Sequence, residues 1–286
     1  MDSVTVIIPH FGADEQQERS LDICLSSLQA TIPSSVRIII ASNGEKCTHH
    51  ASDITIKEQG QGKAVNAAAG LTDSKWLFVT NDDMVYAPGW LEKLLATAKK
   101  YSFKHLSPNL VEPTRGAPPF LNQPFGGAGG DFNMQAWLEF AAKHVELKTE
   151  QGFNLPYLID HNIWNRIGGY DVNYDPWGSN GDSDIQAKLI LGGLETMRER
   201  NVIVYHFSQT SGTFEPRNHA YWEKNYAYFT KKWGFDRQPD SDKVWYSREI
   251  VDFGKCIFKP EYVGKLGETP KTFITYRGFN ERTGYN

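Results

Sequence analysis

The stretch WLFVTNDDMVYAPGWL, residues 76–91, decides how the chain is read. Four apolar residues run directly into Asn81-Asp82-Asp83, a short loop follows, and a helical pattern then places Leu91, Leu94, Leu95 and Ala98 on one face. A short apolar run bounded by turn residues reads as a strand buried on both sides, the kind found in parallel sheets. The segment therefore aims two adjacent carboxylates out of the carboxyl end of a buried strand.

The neighbouring sequence repeats the pattern. Val4–Pro9 is a β-branched run closed by proline, and Val36–Ala41 is a second such run ended by the turn signal Asn43-Gly44. Leu21, Cys24, Leu25 and Leu28 recur at helical spacing between them. Ile54–Ile56 is a weaker third strand, and Gly60-Gln-Gly62 opens a helix around Ala64–Ala69. Strands alternating with helices predict an α/β fold, a Rossmann-like, mostly parallel sheet with helices on both faces. Ligands of such sheets bind at the carboxyl ends of the strands. Pro9-His10, Ser42-Asn43 and Asn81-Asp82-Asp83 are thus expected to line one crevice.

Beyond residue 105 the periodicity loosens. Residues 107–130 are rich in Pro and Gly and read as one long loop, a candidate lid over the crevice. A helix is expected within Asp131–Lys148 and another over Ile185–Leu191, stopped by Gly192-Gly193. Val202–Phe207 reads as a strand. From residue 215 an aromatic, charged extension runs to the end, with Trp222, Tyr226, Tyr228 and Trp233 at near-helical spacing that favours packing over a binding surface. No internal repeat is evident.

Composition narrows the function classes. The chain has 286 residues, 40% of them hydrophobic, and a formal net charge of −4, which gives no basic nucleic-acid footprint. Cys24, Cys47 and Cys256 are dispersed and odd in number, against a disulfide framework or a zinc site and in keeping with a reducing compartment. No signal peptide or membrane-spanning run is read, so a cytoplasmic protein is expected, with peripheral membrane association left open.

Carboxylates at a strand end are hard oxygen ligands suited to Mg²⁺ or Mn²⁺ shared with substrate phosphates. Asp82 or Asp83 would equally serve to start a turn or cap the helix beyond Pro88. Asp182 and Asp184 precede the apolar helix and fit either a helix N-terminus or a reactive site. His206, closing a strand, fits a buried hydrogen-bonded imidazole or a metal ligand. Gly60-Gln-Gly62-Lys63 has part of a phosphate loop but lacks the full spacing.

Taken in order, these segments resemble the family-2 glycosyltransferases, inverting nucleotide-sugar enzymes with the GT-A fold, over roughly residues 4–235. VTVIIPHFG resembles the opening strand, IIIASNGE the second strand and its turn, GQGKAVNAAAG the Gly-x-x-x-Asn helix start, and FVTNDDMVYAPGWLEKLL the Asp-x-Asp segment. WNRIGGYDVNYDPWGSNGDSDIQAKLILGG is similar to the acceptor-side signature, and its WGSNGDSD also to the Trp-Gly-Gly-Glu-Asp-Asp-Asp of β-1,4-galactosyltransferases. VYHFSQTSG and YFTKKWG complete the order.

The resemblance implies roles. Asp83 and His206 would hold Mn²⁺ or Mg²⁺, and Asp82 would contact the ribose or the metal's surroundings. Asp182 would be the general base. Pro9, Ser42, Lys63, Asn66 and Asn81 would border the nucleotide, and Trp177 and Gly178 the sugar and acceptor pocket. The partners would be a nucleotide-sugar, expected to be a UDP-sugar, and a glycan or other hydroxyl acceptor, with no nucleic acid. Ser42 stands where relatives carry Asp, and a hydroxyl accepts a base N–H more weakly than a carboxylate. Gly181 stands where relatives place Glu. The implied domain is 1–214, with a nucleotide-binding half at 1–105 and an acceptor half at 106–214; residues 215–286 would pack on it. Two other classes fit the same strand-end carboxylates: a non-catalytic glycan- or nucleotide-binding protein on this scaffold, and a sugar nucleotidyltransferase, whose Gly-rich basic loop is missing from HFGADEQQERS after the first strand.

Overall fold

Residues buried on both faces alternate along each central strand. In β1 (Val4–His10), Val4, Val6 and Ile8 pack to one side and Ile7 to the other. In β4 (Trp76–Val79), Trp76 and Phe78 join the first side, Leu77 and Val79 the second. Such strands are stable only with helices over both faces. Helices α1 (Glu15–Thr31) and α3 (Trp90–Tyr101) cover one side; α2 (Gln61–Ala69), α5 (His161–Ile167), α6 (Gly181–Leu191) and α7 (His219–Trp233) cover the other. This computed structural model describes residues 2–12, 14–45, 49–113, 120–191, 194–208 and 216–233. Most of the expected aromatic extension, with Cys47, Cys256 and Gly192-Gly193, lies outside the described residues.

Among the described residues the sheet has ten strands. β2 (Arg37–Asn43) and β4 flank β1, both parallel to it, and β3 (Ile54–Ile56) lies parallel outside β2. The order β3-β2-β1-β4 reverses direction at β1, which makes the carboxyl ends of β1 and β4 the place where connections part to opposite sides and leave a crevice. Beyond β4 the sheet is mixed. β9 (Tyr157–Asp160) runs antiparallel between β4 and β6 (His105–Glu112), and β10 (Met197–His206) is parallel to β6. β5 (Met84–Val85) and β8 (Thr149–Gln151) pair antiparallel with β10, and β7 (Leu121–Asn122) pairs with β6. The remaining helix, α4 (Met134–Lys143), packs an aromatic cluster around Trp137 against β10.

The long-loop reading of 107–130 is corrected by β6, all of which is buried. His105, Ser107, Pro108 and Asn109 obscure its strand pattern. The Ser107 hydroxyl donates to the Asn154 carbonyl, and Asn154 Nδ2 donates to the Pro108 carbonyl. Pro108 sits opposite the register shift between Glu199 and Ile203, where a ladder donor is not needed. Residues 114–119 lie outside the described residues. The glycine stretch at 126–130 is tethered rather than loose, with Tyr205 donating to the Gly126 carbonyl at 2.7 Å and Arg19 to that of Gly129 at 2.8 Å.

His105 is fully buried and stacked on Phe153 with ring centroids 4.9 Å apart. Burial, aided by the charge of Arg198, pushes its pKa down from 6.5 to about 3. The unfolded chain therefore takes up this proton first, and stability is lost as pH falls from about 6.5 toward 3. Urea unfolding at pH 7 and pH 5 checks this: the wild type is expected to lose about 2 kcal/mol more than His105→Phe over that interval. Equal losses in the two proteins would show that this imidazole carries no such burden.

Candidate active site

The two carboxylates of the opening stretch emerge beyond β4, and neither caps the following helix. α3 starts at Trp90 from Gly89, whose φ of 82° gives a left-handed turn without side-chain capping. The chain instead enters β5 directly after Asp83. Its two-residue pairing sets Met84 opposite His206 and Val85 opposite Tyr205, and Phe207 N–H donates to the Asp83 carbonyl at 3.0 Å. Tyr86 is then pinned to α1 by its N–H donating to Ser27 Oγ at 3.1 Å. The outcome is that Asp83 and His206, 123 positions apart by number, meet with Oδ2 and Nε2 3.3 Å apart.

Each carboxylate has its own imidazole. Asp82 Oδ2 lies 2.6 Å from Nδ1 of His10, which is fully buried at the end of β1, and His10 Nε2 lies 3.2 Å from Glu18 Oε1 on α1. Burial raises the Asp82 pKa, and His10 opposes the rise. On the other side, His206 Nδ1 lies 2.8 Å from Glu112 Oε1 at the end of β6. Burial works against charge on His206, but Asp83 and Glu112 outweigh it and push its pKa up to about 10. Sequence reasoning missed Glu112, whose only signal is its position at the end of a strand hidden by polar residues.

This pair fits a divalent cation. A hard carboxylate and an imidazole face each other, and the imidazole's other nitrogen is held by a second carboxylate, the arrangement that fixes ring orientation at metal sites. Among the described residues no group of three or more His, Cys, Asp or Glu forms a protein cage. Two protein donors with the rest of the shell supplied by phosphate and water suit Mg²⁺ or Mn²⁺ better than an all-protein site. The same carboxylates hold the histidine's proton when no cation is bound.

An open cleft of about 610 Å³, solvent included, lies over Asp82 and Asp83, and neither His206 nor Asp182 is in its lining. Pro9, Asn81, Asp82 and Asp83 form its floor, and Phe11 and Trp177 its aromatic walls, their rings edge-to-face at 5.8 Å. Of the residues expected to border a nucleotide, Ser42, Lys63, Asn66 and Gly178 are outside this lining. Ser42 is buried with its hydroxyl against that of Ser52. Its neighbour Asn43 lines the cleft instead, donating to the His10 carbonyl at 2.9 Å and accepting Gly60 N–H at 2.8 Å. Asn66 spends both ends of its amide on the backbone of Tyr170, and Gly178, at a φ of 68°, packs on Gln61.

Gly60-Gln-Gly62-Lys63, whose phosphate-loop pattern is incomplete, is engaged within the chain. The N–H groups of Gly62 and Lys63 donate to the two oxygens of Asp175 at 3.0 and 3.1 Å. The positive end of α2 is thus taken by a carboxylate of this chain, and a Cβ on Gly60 would come within 2.4 Å of it. Asp175 precedes Pro176 and Trp177, so this contact places the cleft's second wall. Asp182 lies in the first turn of α6 and does not cap it; the first turn closes from Asp184 N–H to the Asn180 carbonyl at 3.0 Å. Asp182 Oδ1 accepts the Tyr170 hydroxyl at 2.7 Å. In the extension, Tyr228 donates to Asp171 and Phe229 is buried in the core, whereas Trp222 stacks on His219 and Tyr226.

Residues 5–166, more than half of the chain, match the sequence pattern described as glycosyl transferase family 2. None of the curated proteins compared matches the chain. Among 220 matching solved chains, a crystal structure of GalNAc-T7 with UDP, GalNAc and Mn²⁺ superposes with a TM-score of 0.63 at 14% identity. The match covers all of this chain and 58% of that one, a likeness of fold that agrees with the GT-A architecture.

The charged His206 is favoured by folding, so its contribution is whole below about pH 6.5 and is lost as pH rises toward about 10. In metal-free protein, thermal unfolding from pH 7 to pH 9.5 is expected to show a fall in midpoint that Asp83→Asn and Glu112→Gln each reduce. A histidine NMR resonance of His206 titrating near its ordinary value of 6.5 would contradict the ion-pair geometry. A second expectation concerns the α2 clamp: Asp175→Ala leaves two amides without their acceptor and should destabilise the fold by about 1–3 kcal/mol in urea unfolding.

Proposed function

The chain belongs to glycosyl transferase family 2, and on that premise we propose that it moves a sugar from a UDP-sugar to a hydroxyl of a glycan or other acceptor by a single, inverting displacement. The observation that carries this reading is the pair of adjacent carboxylates at the switch point of the sheet, each with its own imidazole, flooring a cleft with aromatic walls.

The roles follow from the chemistry of the groups. Asp83 and His206 would hold Mn²⁺ or Mg²⁺. Such a cation, when bound, stabilises negative charge on the departing nucleoside diphosphate. Pro9, Asn81 and Asp82 would border the nucleotide, with Asn43 beside them. Ser42, Lys63, Asn66 and Gly178 would act from behind, by holding the strands and turns that carry the lining. Trp177 would cover the sugar. Asp182 would take the proton of the acceptor hydroxyl, a weak nucleophile that needs a base in hydrogen-bond reach. The nucleotide half would be residues 1–105 and the acceptor half 106–214, with α7 packed on the latter. No helix among the described residues is long and apolar enough to cross a membrane.

Titration calorimetry with UDP and with GDP, each with and without Mn²⁺, tests the donor site. UDP is expected to bind only with Mn²⁺, and Asp83→Ala to weaken it at least about tenfold, the loss of one charge-assisted contact. Asp182→Asn is expected to leave UDP binding intact and cut sugar transfer by about 10²–10⁴-fold. Absence of nucleotide binding under every condition would remove the enzyme reading and favour a retired scaffold.

A further inference from the structure

We propose that Tyr170 is a positioning residue for Asp182, its hydroxyl fixing the carboxylate that serves as base, and that Asn66 sets Tyr170 in place from the nucleotide half. This rests on the reading of Asp182 as the base. The Tyr170 hydroxyl donates to Asp182 Oδ1 at 2.7 Å and receives the Tyr157 hydroxyl at 3.1 Å. Both tyrosines are buried, at 5% and 0% exposure. A buried hydroxyl must find a partner, and here the two form a directed chain that ends on the carboxylate. Burial and the charge of Asp182 raise the pKa of both phenols, so each remains a donor throughout the working range.

The backbone of Tyr170 is held as firmly as its side chain. Its N–H donates to Asn66 Oδ1 at 2.9 Å, and its carbonyl accepts Asn66 Nδ2 at 2.8 Å. Gly168 and Gly169 reach this register with φ of 73° and 59°. A Cβ on Gly169 would come within 2.4 Å of Asn66 Oδ1 and 2.9 Å of the Trp164 ring, so this turn admits no side chain. The Tyr170 ring lies edge-on to Trp164, with centroids 5.7 Å apart. A carboxylate bonded at one oxygen by so rigid a donor is held in one orientation toward the acceptor hydroxyl.

Among the described residues, other charges around this turn have partners of their own. Asp184 pairs with Lys188 and Lys232, Asp171 with Lys232, and Asp175 with the α2 amides.

Tyr170→Phe, which keeps the ring, tests the proposal, with Tyr157→Phe as the milder variant. In protein labelled with carbon-13 at the aspartate carboxyl, the Asp182 signal is assigned by its loss in Asp182→Asn. Its titration midpoint is expected to rise by about one pH unit in Tyr170→Phe, because a donor to the charged form is gone. Calorimetric UDP binding with Mn²⁺ should stay within about twofold, far less than the tenfold that 1.4 kcal/mol represents. With the fastest-consumed of UDP-glucose, UDP-galactose and their N-acetyl forms, kcat for UDP release should fall about ten- to a hundredfold with little change in KM. In the Asp182→Asn background the same substitution should have no further effect. An unchanged Asp182 titration, or an equal loss of kcat in the Asp182→Asn background, overturns the proposal. Wild-type turnover by Asp182→Asn would instead sink the base assignment, and the titration would still decide whether Tyr170 holds the carboxylate.

Discussion

Two residues of antiparallel pairing, Met84–Val85 against Tyr205–His206, hold the candidate site together. Without them Asp83 would end a strand in the first half of the chain and His206 a strand in the second, with nothing to hold them in register. The pairing is short, yet it is strongly supported. β10 is the strand on which β6 and β8 also pair, and β5 is anchored to α1 through Tyr86 and Ser27. Burial of the surrounding strands gives this little ladder a precision that two hydrogen-bonded residues alone would not have.

The second dependence is on the N-terminus of α2. A helix start at the edge of a crevice is a natural anion site, and here the anion is Asp175. The contact joins sequence segments more than a hundred residues apart and carries Trp177 to the cleft, opposite Phe11. Asn66, one turn further along the same helix, grips the backbone of Tyr170. Thus α2 acts as a seam between distant segments: one end positions the wall of the cleft, the middle positions the turn beside Asp182.

Charge balance in the site follows from this packing. Asp82 and Asp83 are neighbours in sequence, and two adjacent carboxylates repel. Their side chains are drawn apart, one to His10 on β1 and the other to His206 on β10, so each carboxylate has an imidazole within reach. Glu18 and Glu112 stand behind the two imidazoles and orient them.

The sequence by itself determined the order from β1 to β4 and the helix α3 beyond, the strand ends that carry Pro9, Asn81, Asp82 and Asp83, and the family resemblance. Those features depend on local periodicity and on turn residues, which short-range sterics and burial express directly in the residue order. Tertiary structure alone decided the rest. β6 was hidden because the features that accommodate its Ser107 and Pro108, Asn154 and a register shift, belong to distant segments. The partnership of Glu112 with His206, the use of the α2 amides by Asp175 and the bond from Tyr170 to Asp182 all join groups that no local pattern relates. Hydrogen bonds of this kind are chosen by which elements the fold brings together, and a linear sequence records each partner without recording the pairing.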